Sequence, residues 1–189
     1  MYAPDQLLSA SRQNLWRLTL IRLLVLAAQA ASVGIAYLSG MVPLPWLPLC
    51  VTLAISLGLC LVTALRLRGP WPVTELEYTV QLACDLVIHS VLLYYSGGPA
   101  NPFVSYYLVP LTIAAATLPW LHTMALCALG LAGYSVLLFW PHPLNIPVAQ
   151  RESLLIYGMW LSVAMAAVLI TFLSPIHISE PTRQEAISY

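Results

Sequence analysis

Four polar residues recur at every fourth position of an otherwise apolar stretch: Glu77, Gln81, Asp85 and His89. On a helix that spacing sets them along one slowly drifting stripe, while Val80, Leu82, Leu86, Val87, Val91 and Leu92 fill the other faces. An ionisable group in hydrocarbon costs about 2–3 kcal/mol even on lenient scales, so the stripe must turn toward other helices or a watery cleft. A carboxylate and an imidazole one turn apart can share a proton, which makes Asp85 and His89 candidate proton-coupled partners of a ligand. The same residues would serve equally well as a polar clasp between helices. At about 1.5 Å per residue, His89 is expected roughly 12 Å below Gly97 and Asp85 roughly 18 Å below it.

A second constellation follows directly: Ser96-Gly97-Gly98-Pro99-Ala100-Asn101-Pro102-Phe103. Two glycines end a helix by admitting left-handed torsions, Asn101 suits an N-cap, and Pro102 suits a first turn where its missing N–H is not needed. Turn chemistry alone would account for every residue of this segment.

The elements that must position these residues are set by composition. Of 189 residues 60% are hydrophobic and 7% charged, with a mean hydropathy of +0.85. A soluble domain carries about a quarter charged residues, so a lipid bilayer is the expected solvent. The net charge is zero, which leaves no basic face for nucleic acid. The four cysteines (Cys50, Cys60, Cys84, Cys127) lie in apolar runs without a CxxC pair and read as small buried hydrophobes. The histidines are too scattered for a metal site, so no metal is expected. His122 and His142 fall at expected interfaces, and the Gly130/Gly133 pair reads as close helix packing. No cleavable signal peptide is apparent.

A span needs about 20 apolar residues. The chain offers six candidates: Leu18 to Leu38, Trp46 to Leu65, Glu77 to Ser96, Phe103 to Leu118 (the shortest, containing Pro110), Trp120 to Trp140, and Ser153 to Phe172. The expected fold is an all-α membrane protein: a short cytoplasmic segment over 1–16, then a bundle of six transmembrane helices over 17–173. Short connections predict antiparallel neighbours, and Trp46, Trp120, Trp140, Tyr94 and Tyr95 sit where an interfacial aromatic belt belongs. Arg12, Arg17, Arg22, Arg66 and Arg68 fall on one side and Arg151 on the other, which puts both termini in the cytoplasm. The stretch from Leu173 through His177, Glu180 and Arg183 to Tyr189 resembles a translated sequencing-library adapter, so 174–189 are expected to be non-native, with the natural sequence interrupted near residue 173.

Gly97, Gly98, Asn101, Pro102 and Phe103 form the pattern Gly-Gly-x-x-Asn-Pro-Phe between the third and fourth of six helices. In this the chain resembles the RegB/PrrB/RoxS family of redox-responsive two-component sensor histidine kinases. The likeness extends to the six-helix layout, the cytoplasmic N-terminus and the Tyr-Leu-x-Pro of Tyr107, Leu108 and Pro110, and covers about residues 12 to 173. It implies a sensing domain of the bacterial inner membrane, with the five motif residues binding ubiquinone. It also implies a homodimer that reaches a response regulator through a cytoplasmic kinase region. The family's phosphorylatable His, redox-active Cys and ATP-binding domain follow the sixth helix and have no counterpart here, so the resemblance implies no enzymatic activity for this stretch. On the motif reading, Phe103 walls the quinone ring while Asn101, or N–H groups opening the fourth helix, donate to a carbonyl. The rival reading is a small transporter or channel subunit with the third-helix stripe as its path, although no other helix repeats that stripe.

Overall fold

A computed structural model describes residues 4–40, 43–69, 71–140, 142, 152, 155–160, 163, 164 and 167, with side chains from Arg12 onward except that of Pro102. The described residues are all-helical: α1 Pro4–Ser39, α2 Trp46–Arg66, α3 Glu75–Tyr95, α4 Leu108–Thr117 and α5 Trp120–Phe139, with short 3-10 segments at Gly98–Ala100 and Pro102–Tyr107. Among the described residues, four helices are long and apolar enough to cross a membrane: Arg12–Ser39, Trp46–Arg66, Glu75–Tyr95 and Trp120–Phe139. Phe103–Thr117 is a shorter apolar helix. The expected sixth span, Ser153 to Phe172, lies largely outside the described residues, although 155–160 are helical. The tail 174–189 lies outside them entirely.

Each boundary has a local cause. Gly40 leaves α1 with φ +61°, and Pro45 in extended backbone opens α2. The Tyr37 and Trp46 rings meet edge-on at 4.7 Å and staple this hairpin. At the other end Arg66 caps α2, donating to the carbonyls of Trp71 and Pro72 and to Glu77 at 3.0 Å. Thr74 then starts α3 by accepting from the Glu77 amide at 3.1 Å, with Glu75 and Glu77 in the first turn, where the helix dipole favours anions.

α3 is the central element and packs against α2, α4 and α5, while α1 packs against α2. The core runs through Leu15, Leu18, Ile21 and Val25 of α1, Leu82, Leu86 and Leu93 of α3, Ile113 and Ala114 of α4, and Leu126 and Leu137 of α5. α2 is inside-out by the standards of a water-soluble helix. It buries Leu49, Thr52, Ser56, Cys60 and Thr63 at a spacing of three and four, and exposes Val51, Ile55, Leu61, Val62 and Leu65. Thr63 is 0% exposed and its neighbour Val62 62%. Water would favour the opposite arrangement, whereas lipid is as apolar as the side chains it touches. Of the cysteines, Cys60 is buried and Cys84 half-buried, but Cys50 and Cys127 are exposed on apolar helix faces. The expectation that all four are buried fails because an apolar run in such a bundle has an outward side as well.

Candidate functional site

The stripe on α3 faces α1 and α2. Arg22 of α1 meets Asp85 in a bidentate ion pair, Nε to Oδ1 at 2.6 Å and Nη2 to Oδ2 at 2.8 Å. Its other N–H groups reach the Gln81 side-chain oxygen at 3.1 Å, the Gln81 carbonyl at 3.2 Å and the Thr63 hydroxyl at 3.5 Å. All five guanidinium donors therefore have an acceptor, which is the condition for carrying a charge into a low-dielectric interior. The pair is buried, with 4% and 10% of the two side chains exposed. Arg22 thus belongs to the bundle interior and not to the cytoplasmic flank assigned above. The charge asymmetry expected to orient the chain then has Arg12, Arg17, Arg66 and Arg68 against Arg151, the last outside the described residues.

One turn further along α3 and two further along α1, His89 (2% exposed) stands beside Gln29 of α1, Nδ1 to Nε2 at 3.4 Å. Arg22 pairs with Asp85 and Gln29 with His89, so α1 and α3 run parallel and are joined by long polar side chains. Asp85 and His89, expected to share a proton, each have a partner on α1 instead.

The loop is held by Asn101. Its amide group donates to the Ser96 carbonyl at 2.9 Å and to the Ser96 hydroxyl at 2.8 Å, and its Oδ1 accepts from the Phe103 amide at 2.9 Å. The Val104 amide donates to the Asn101 carbonyl at 3.1 Å. Gly97 and Gly98 take φ of +123° and +61°, both in the region that favours glycine. The five motif residues thus form one stitched turn, as the reading of Asn101 as an N-cap anticipates. The same stitching corrects the assignment of Asn101 and the Phe103 N–H as donors to a ligand. An amide group has two hydrogens, and both are engaged by Ser96.

The loop and the stripe also meet, contrary to the separation expected between them. Pro102–Tyr107 descends beside α3 as a 3-10 helix, so the Phe103 carbonyl lies 3.1 Å from His89 Nε2. A carbonyl can only accept, so Nε2 carries the hydrogen and Nδ1 accepts from Gln29. Three residues make a 3-10 turn, which places Tyr106 above Phe103 on the same edge. The His89 ring lies 4.7 Å from the Tyr106 ring and 5.2 Å from that of Tyr107. The Tyr107 hydroxyl meets the Ser90 hydroxyl at 2.6 Å, and Ser90 donates to the Leu86 carbonyl at 2.7 Å. Ser90 has one hydrogen to give, so Tyr107 is the donor between them.

At this level Gly133 lets α5 approach. A Cβ there would lie 2.7 Å from Ser90 Oγ and 3.2 Å from the Tyr107 hydroxyl, whereas one at Gly130 would make ordinary contacts from 3.6 Å. His122 accepts or donates with Thr79 at 2.9 Å, and His142 lies beside the Tyr94 ring at 5.4 Å. Among the described residues no group of His, Cys, Asp and Glu could hold a metal.

Sequence reasoning missed Arg22 and Gln29 as site residues. The signal was available: an arginine inside an apolar run calls for a buried partner, and Gln29, seven residues on, shares its helical face. No protein-family model, curated protein or solved structure matches the chain.

Proposed function

We propose that this chain is the membrane-embedded input domain of a redox-responsive sensor histidine kinase resembling the RegB/PrrB/RoxS type. In this reading it senses the quinone pool from a six-span bundle in the bacterial inner membrane, with both termini cytoplasmic. The observation that carries it is the bond from His89 to the Phe103 carbonyl at 3.1 Å, which ties the Gly97-Gly98-x-x-Asn101-Pro102-Phe103 turn to the buried polar stripe. A ligand that disturbs the turn acts at once on α3, and through Gln29 and Arg22 on α1. Occupancy of an apolar, aromatic-walled loop would thereby bias the packing of helices, which is what an input domain requires. Phe103 walls the ring, and Gly97, Gly98, Asn101 and Pro102 shape the turn around it. A dimer and a response regulator enter through the cytoplasmic kinase region of a longer parent.

The transporter reading has less support. Asp85 is saturated by Arg22, and the pair closes the stripe to a passing solute. The test is quinone binding by the purified chain in detergent, followed by quenching of its tryptophan fluorescence with a short-chain ubiquinone. Saturable quenching that weakens in Phe103→Ala is expected. Linear, unsaturable quenching across the soluble range of the ligand would retire the sensor reading.

A further inference from the structure

The donors of Asn101, Phe103 and Val104 are committed to the turn itself. Asn101 gives both amide hydrogens to Ser96, the Phe103 N–H goes to Asn101 Oδ1, the Val104 N–H goes to the Asn101 carbonyl, and Pro102 has none. The bond from His89 Nε2 to the Phe103 carbonyl is of another kind. It joins a side chain on α3 to a backbone oxygen of the turn at 3.1 Å. A carbonyl inside a 3-10 helix keeps a backbone donor three residues on, so it is not orphaned when the imidazole leaves.

The imidazole is held from behind by Gln29 at 3.4 Å, which fixes the Nε2–H tautomer and the ring's direction. Around the imidazole stand the rings of Tyr106 at 4.7 Å and Tyr107 at 5.2 Å. A flat, apolar head with a carbonyl oxygen matches this combination of one buried donor and aromatic walls.

We infer that His89 is the hydrogen-bond donor to a carbonyl oxygen of an oxidised quinone, and that the Phe103 carbonyl is the internal acceptor with which the ligand competes. The inference rests on the quinone-sensing reading and moves the recognition atom from the loop to α3. Binding then exchanges one acceptor for another at Nε2, and it releases the Phe103 segment from α3 in the same event. Gln29 is a positioning residue, since it aims the imidazole without facing the ligand.

The experiment uses the whole chain and ubiquinone labelled with 13C at its ring carbonyls, read by infrared difference spectroscopy beside a binding titration. Wild type is expected to shift the bound carbonyl band to lower frequency. His89→Gln, which keeps an N–H donor, should bind within about threefold of wild type and retain the shift. His89→Phe should bind roughly tenfold more weakly, the worth of one hydrogen bond, and lose the shift. A bound carbonyl band in His89→Phe identical to that of wild type would overturn the inference and leave the sensor reading standing. An absence of saturable binding in wild type would overturn both. A measurement that needs no folded variant is the 15N resonance of His89 Nε2 in wild type, assigned by its loss in His89→Gln. It should move on ubiquinone titration, and an unmoved resonance at saturation would defeat the proposal.

Discussion

Arg22 and Asp85 sit on parallel helices 63 residues apart in sequence and meet through two hydrogen bonds of 2.6 and 2.8 Å. α1 has its main packing partner in α2, and this pair, with Gln29 and His89, adds polar links from α1 to α3 beside the shared apolar core. Removing one partner leaves a buried charge without compensation, which costs about 3–5 kcal/mol. Arg22→Leu and Asp85→Leu should each lower the unfolding midpoint steeply in detergent, and the double variant should recover most of the loss. Singles costing under about 1 kcal/mol would show that the pair does not hold the bundle together.

The α3–α5 interface depends on a missing methyl group. Gly133→Ala drives a Cβ to 2.7 Å from Ser90 Oγ, and Ser90 is itself held by Leu86 and Tyr107. A cost of about 1–3 kcal/mol is expected. Gly58→Ala meets nothing within 4 Å and should be neutral or slightly stabilising, because alanine loses less backbone entropy in a helix. Equal thermal stability of the two variants would contradict this packing.

Gly97 and Gly98 differ in what they tolerate. Gly98 has φ +61°, a value asparagine adopts readily, so Gly98→Asn should keep the turn and Gly98→Val should not. Gly97 at φ +123° lies outside the left-handed helical well, and both Asn and Val should be poorly accepted there. The readout is protection of the Phe103 amide from hydrogen exchange. Similar protection in all four variants would mean that these torsions do not govern the loop.

Asn101→Asp separates the two jobs of the side chain. The carboxylate keeps an acceptor for the Phe103 amide but loses both donors to Ser96. Protection at Phe103 should persist, while Asn101→Ala should lose it at a cost of about 1 kcal/mol. Identical exchange in the two variants would remove the cap from the account.

Much of the architecture is legible in the residues. α2, α3 and α5 begin and end within a few positions of where prolines, glycines and apolar runs place them, and Asn101 caps where its neighbours suggest, whereas α1 ends as expected but starts at Pro4, fourteen residues before the expected Leu18. The α3 stripe turns inward, as the cost of bare charge in hydrocarbon requires. What stays hidden is pairing. Periodicity on α3 says that Asp85 needs company, but an adjacent His89 looks as suitable as an arginine 63 positions away. The descent of the Phe103 carbonyl to His89 is hidden for a similar reason. Counting residues down α3 measures the helix correctly but says nothing of a chain returning beside it.

The 3-10 winding of Pro102–Tyr107 has a consequence for length. Its six residues rise by about 2.0 Å each and the ten of α4 by about 1.5 Å, so together they cover about 27 Å where a uniform α-helix would cover about 24 Å. The hydrocarbon layer is roughly 30 Å thick. Tight winding therefore brings a segment too short for an ordinary crossing close to the length a crossing would need. A ligand that let those six residues relax into α geometry would shorten this segment by about 3 Å, a displacement large enough to pull on whatever its far end is attached to.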